Sequence, residues 1–148
     1  MTSRSRSGMT LTELMLVVVV VGVLAAAVVP RLATGMQATT AQSAASVVGA
    51  DVEAAFSTAA RSRRPVVLTC DCPNRTYQVA DQTGGTVRMQ RRLDKASDTG
   101  VDRLSFSAAS VVIGPNGIAS EPFEIDLVVG GSQRRVAVSR TGQVRIVR

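Results

Sequence analysis

Residues 8–30 read GMTLTELMLVVVVVGVLAAAVVP. From Met9 to Val29 there are 21 residues and one charge, Glu13. As a helix this stretch spans about 31 Å, enough for a bilayer core. The eight residues before it, MTSRSRSG, are short, polar and basic. Arg4 and Arg6 predict a cytoplasmic N-terminus, with the rest of the chain exported. Three kinds of segment share this outline. One is an ordinary secretory signal, with small residues at Ala25 to Ala27 marking its end. The second is an uncleaved membrane anchor carrying a binding domain. The third is a cleaved basic leader followed by an anchor that persists. Glu13 discriminates between them. A carboxylate at the middle of a membrane helix costs roughly 2.5–3.5 kcal/mol, less near its end, and a plain signal or anchor has no use for one. An acid in such a helix points to a function and a partner.

Outside this run the composition is that of one modest domain in a chain of 148 residues. The formal charge is +6, and it falls to +4 once Arg4 and Arg6 are removed. Such a balance permits contact with nucleic acid or anionic lipid without establishing either. There is no His and no Trp, and Tyr77 is the single Tyr. Cys70 and Cys72 form a lone Cys-Asp-Cys. Two Cys without His cannot close a zinc site, so no metal is expected. The close spacing favours two free or buried thiols on a strand. A strained disulfide formed in an oxidising compartment is the alternative.

After Pro30 the helical period continues. Ala41, Ala44, Ala45, Val48, Val52, Ala55, Phe56 and Ala59 recur at three- and four-residue steps, with Gln42, Asp51 and Glu53 expected elsewhere on the helix surface. The helix is expected to run to near Arg61 and to stop before Pro65. Eight short β-branched segments follow: PVVLTC, RTYQVA, TVRMQRRL, RLSFSA, SVVIG, FEIDLVV, RRVAVS and QVRIVR. Turn residues separate them, among them Asp71-Cys72-Pro73-Asn74, Thr83-Gly84-Gly85, Gly114-Pro115-Asn116-Gly117, Gly130-Gly131 and Thr141-Gly142. The fold class is therefore α+β, a long N-terminal helix followed by a small, mostly antiparallel β-domain. The expected organisation is a leader at 1–8, a transmembrane helix at 9–29, an amphipathic continuation at 30–62 and a β-domain at 63–148. Residues 91–102, RRLDKASDTGVD, are the best candidate for a mobile loop.

The N-terminal residues resemble the signal of type IV pilins and type II secretion pseudopilins. The resemblance rests on Gly8, then Met9-Thr10-Leu11-Thr12-Glu13-Leu14, then a Val/Ala/Leu run ending at Pro30. It implies cleavage by a prepilin peptidase between Gly8 and Met9, N-methylation of Met9, Glu13 as the assembly acid and Pro30 as a helix kink. The usual first mature residue is Phe, and Met9 departs from that. Residues 110–119, SVVIGPNGIA, and 134–146, RRVAVSRTGQVRI, resemble the C-terminal half of the type II secretion protein H and FimT-like minor pilin group. Together these imply a minor pseudopilin that is anchored in the inner membrane, exposes a periplasmic domain and packs with other pilin or pseudopilin subunits. The alternative is a FimT-like minor type IV pilin that takes part in pilus assembly or DNA uptake.

No enzyme is legible. Without His most general-base and triad schemes are closed, and no phosphate loop, nucleophile elbow or dinucleotide fingerprint occurs, so no cofactor or small-molecule substrate is expected. Asp94, Asp98 and Asp102 lie among Arg and Lys and read as a solvated loop. Beyond Asp126 there are no acids but five arginines, Arg134, Arg135, Arg140, Arg145 and Arg148. If they share a face, they form a patch suited to DNA phosphates. The alternative is a solvated edge that resists aggregation.

Overall fold

The computed structural model describes residues 10–94, 97 and 99–147, apart from the side chains of 29–34. Gly8, Met9, Asp98, Arg148 and the Pro30 side chain lie outside the described residues. The chain divides into two compact units that meet between Gly35 and Met36. One helix, α1 (Leu11–Ser62), contributes to both.

In the first unit α1 opens on a capped turn. Thr10 Oγ1 accepts the Glu13 backbone N–H at 3.3 Å, an N-cap bond that satisfies one of the free N–H groups of the first turn. Leu11–Val28 is long and apolar enough to cross a membrane, with mean hydropathy 2.6 and none of it buried.

The second unit holds the core. Here α1 presents Ala41, Ala44, Ala45, Val48, Val52, Ala55, Phe56 and Ala59, all buried as the three- and four-residue spacing predicts. Small Ala side chains let the helix approach the strands closely. The helix ends at Ser62 and Arg63 takes a left-handed conformation (φ 52°), after which Pro65 bars continuation.

Eight strands follow: β1 (Val66–Asp71), β2 (Thr76–Asp81), β3 (Val87–Arg92), β4 (Arg103–Phe106), β5 (Ser110–Ile113), β6 (Phe123–Val129), β7 (Ser132–Val138) and β8 (Val144–Val147). They form two four-stranded sheets, in the orders β3-β2-β1-β5 and β4-β6-β7-β8, and every strand pairing is antiparallel. Alternation sends Val66, Leu68, Tyr77, Val79, Val111 and Ile113 of the first sheet into the core. Leu104, Phe123, Ile125, Leu127, Val136 and Val138 enter it from the second. Burying each large aliphatic or Phe side chain contributes roughly 1.5–3 kcal/mol. At the β7–β8 turn Gly142 (φ 81°) lies so close to Phe56 that a Cβ there would meet the ring at 2.9 Å. That approach seats the turn against α1.

Three expectations change. Asp51 is not on the helix surface; it is buried, at 7% exposure. The segment 91–102 is pinned at both ends, because Leu93 and Val101 are fully buried and the Val101 N–H donates to the Leu93 carbonyl at 2.9 Å. Cys70 and Cys72 are not free thiols but a disulfide. Residues two apart in a strand project to the same side, and where β1 turns out of its sheet their Cα atoms come within 5.2 Å, inside bridging range.

Candidate functional site

The chemistry-bearing residues fall in three places. The first is the start of α1. Glu13 lies in its first turn and is exposed, the single charged residue between Thr10 and Val28. A carboxylate there complements the positive end of the helix dipole. The Leu11–Val28 side chains around it stay exposed: Leu11 at 71%, Leu16 at 66% and Val23 at 66%. So much apolar surface in one strip marks a membrane or protein contact.

The second is the C-terminal arginines, which the fold disperses. Arg134 and Arg135 are adjacent on β7 and therefore point to opposite faces. Arg134 turns toward α1, where its Nε donates to Gln42 Oε1 at 3.0 Å. Arg135 lies on the outer face of its sheet and is committed to acids across the ladder. Its Nε donates to Asp126 Oδ1 at 2.8 Å, and NH1 lies 3.1 Å from Glu124 Oε2. Asp126 first, then Glu124, hold the Arg135 guanidinium pKa above its ordinary value. Arg145 sits opposite Ala137 on that same outer face, at the rim of an open groove of about 620 Å³. Arg140 lies past the end of β7, where its Nε contacts the Ala119 carbonyl. The one-face patch is thus not formed among Arg134, Arg135, Arg140 and Arg145. Local carboxylates already answer Arg135.

The third place was not anticipated. Asp51 of α1 meets Tyr77 of β2 and Arg91 of β3. The Tyr77 hydroxyl donates to Asp51 Oδ2 at 2.6 Å, and Arg91 NH2 donates to Oδ1 at 2.9 Å. Arg91 Nε closes a second bond to Oδ2. Burial, then the Asp51 carboxylate, push the Tyr77 hydroxyl pKa far above its ordinary value. The cluster fastens α1 to the first sheet. A signal for it was available, since Asp51 falls three residues after Val48 and four before Ala55, on the margin of the apolar stripe.

An unburied apolar helix leading into an amphipathic half that packs on antiparallel sheets defines the pilin-like α+β fold. Residues 44–142 match the family described as Type II transport protein GspH, and residues 3–29 match the prokaryotic N-terminal methylation motif. The chain belongs to the GspH family. Among solved structures it is similar to the minor pseudopilin EpsH from the type II secretion system of Vibrio cholerae. The TM-score is 0.58 at 19% identity, covering 72% of this chain and 95% of that one. It is also similar to the type IV minor pilin FimU of Pseudomonas aeruginosa PAO1, with a TM-score of 0.59 at 15% identity, covering 73% and 88%. No curated protein sequence matches it.

Proposed function

We propose that the protein is a minor pseudopilin, a non-catalytic subunit of a type II secretion pseudopilus. The observation that carries this reading is a GspH-type β-domain joined to an unburied apolar helix with one acid in its first turn. In this reading a prepilin peptidase cuts between Gly8 and Met9 and methylates the Met9 amine. The helix then holds the subunit in the inner membrane, with the β-domain in the periplasm, until it enters the fibre.

Glu13 has two tasks in this scheme. At the start of α1 it complements the helix dipole, and in the fibre it pairs with the Met9 ammonium of a neighbouring subunit. Such a buried pair adds little net stability, but removing one partner strands a charge at a cost of about 3–5 kcal/mol. That penalty sets the register of the subunits. In cells assembling the fibre, Glu13→Ala is expected to abolish recovery of the subunit in sheared fibres while membrane-bound protein persists. Undiminished incorporation would sink the pairing mechanism.

A second reading, a minor type IV pilin, is favoured by the similarity to FimU at an equal level. Cross-linking to the neighbouring subunits separates the two readings, because the partners recovered belong to one fibre or the other.

A further inference from the structure

The end of the domain where α1 terminates collects arginines from three separate segments. Arg63 and Arg64 follow the last turn of the helix and are exposed. The Pro65 carbonyl accepts the Gln82 N–H at 3.0 Å, and Val66 pairs with both Asp81 and Ile113. The start of β1, the β2–β3 turn and the end of β5 therefore lie together. Arg88 reaches this end from β3, gripping Asp81 through Nε–Oδ1 at 3.0 Å and NH2–Oδ2 at 2.6 Å. The second sheet adds Arg140, whose carbonyl accepts the Ala119 N–H at 2.7 Å beside the Ile113–Ala119 bridge.

The acids at this pole are Asp81 and the exposed Glu121. Both oxygens of Asp81 are taken by Arg88. The balance is positive: among the described residues Arg63, Arg64 and Arg140 make no contact ion pair, although Arg64 lies near enough to Asp81 to help lower its carboxyl pKa and Arg140 Nε meets the Ala119 carbonyl. Two large apolar side chains stand exposed among these arginines. Val87, at 50% exposure, precedes Arg88. Ile118, at 44%, follows the Gly114–Gly117 turn and precedes Ala119, the residue bonded to Arg140.

Exposed aliphatic tips set among guanidinium groups suit one environment best. At an anionic bilayer surface, apolar tips enter the headgroup boundary while arginines meet lipid phosphates. A nucleic-acid backbone offers phosphates but nothing for Val87 and Ile118. We propose that this pole docks on an anionic phospholipid surface. The contact is separate from the Leu11–Val28 span, which belongs to the other end of α1, and it does not depend on fibre assembly.

The test uses the full chain, with its N-terminal helix sequestered in phosphatidylcholine nanodiscs. Flotation then measures tethering of these discs to vesicles of phosphatidylcholine with or without phosphatidylglycerol. Tethering is expected only with phosphatidylglycerol, and it should weaken as salt rises. Arg63→Gln with Arg64→Gln should lower it at least about tenfold, and Ile118→Ser several-fold. Arg134→Gln, near the opposite end of β7 where it meets Gln42, should leave it unchanged. Equal tethering to both vesicles, or equal loss with Arg134→Gln, would overturn the proposal. Capture of a short DNA duplex or of polyglutamate without vesicle tethering would overturn it too, in favour of a nucleic-acid backbone or an acidic protein.

Discussion

The two halves of α1 spend apolar residues differently. Between Leu11 and Val28 most apolar side chains are Leu, Val or Met, and none is buried. Between Ala41 and Ala59 one stripe, mostly Ala, is fully or almost fully buried, while Ala50 and Ala54 on the other faces stay exposed. The first half carries far more apolar surface than the domain uses, all round the helix, as a membrane or a fibre of like helices requires. The second half carries a narrow stripe of small residues, as close packing on a sheet requires. One continuous helix therefore has one stretch that stabilises the fold and another whose partners lie outside it.

The sharpest way to break that comparison is to truncate a side chain in each region and measure chemical denaturation in detergent. Leu68→Ala or Ile125→Ala should cost the domain about 2–5 kcal/mol. Leu16→Ala should leave the domain's unfolding unchanged, although it removes as large a side chain. If Leu16→Ala were as costly, the two regions would not be energetically separate.

The Asp51 cluster sharpens the boundary further, because it fastens the buried half of the helix to the sheet. Asp51→Ala should cost about 1–3 kcal/mol, since it leaves the buried Tyr77 hydroxyl without an acceptor. The stranded Arg91 is partly solvated and adds less. Tyr77→Phe should cost about 1 kcal/mol, leaving the Asp51–Arg91 pair in place. Equal losses for the two variants would show that the phenol, not the ion pair, holds the helix.

Smaller effects are expected at the surface of the first sheet. The Cys70–Cys72 bridge closes a loop of three residues, so chain entropy assigns it under about 2 kcal/mol. Cys70→Ser with Cys72→Ser should lower the unfolding free energy by less than about 2 kcal/mol, read by chemical denaturation. The smallest effect concerns acid. Arg88 holds the Asp81 carboxyl below the usual carboxylate range. Its stabilising contribution is therefore complete above the unfolded-state value near pH 4 and is lost as pH falls through the lower folded value. Asp81→Asn should flatten that part of the stability–pH curve, and an unchanged curve would contradict the assignment.

Much of the architecture was legible in the sequence. The α1 stripe, its end before Pro65 and all eight strand segments followed from local periodicity and turn residues, which are properties of neighbours in the chain. What escaped was non-local. Alternation says which side chains share a face, but not that β5 lies beside β1 while β4 lies beside β6. Nor does it reveal that Asp51 finds Tyr77 and Arg91 across the interface. The arginines illustrate both sides of this limit. Strand parity alone separates Arg134 from Arg135. Only the fold takes Arg140 away from them, past the end of β7 and against the Ala119 carbonyl.

The proposed role requires the unburied half of α1 to be a processed, persistent anchor. The most direct test is the intact mass and N-terminal sequence of the mature protein recovered from membranes. A chain beginning at N-methylated Met9, with Glu13 as its fifth residue, is predicted. A chain beginning at Met1, or one beginning near Val28 and so lacking the apolar helix, would contradict it.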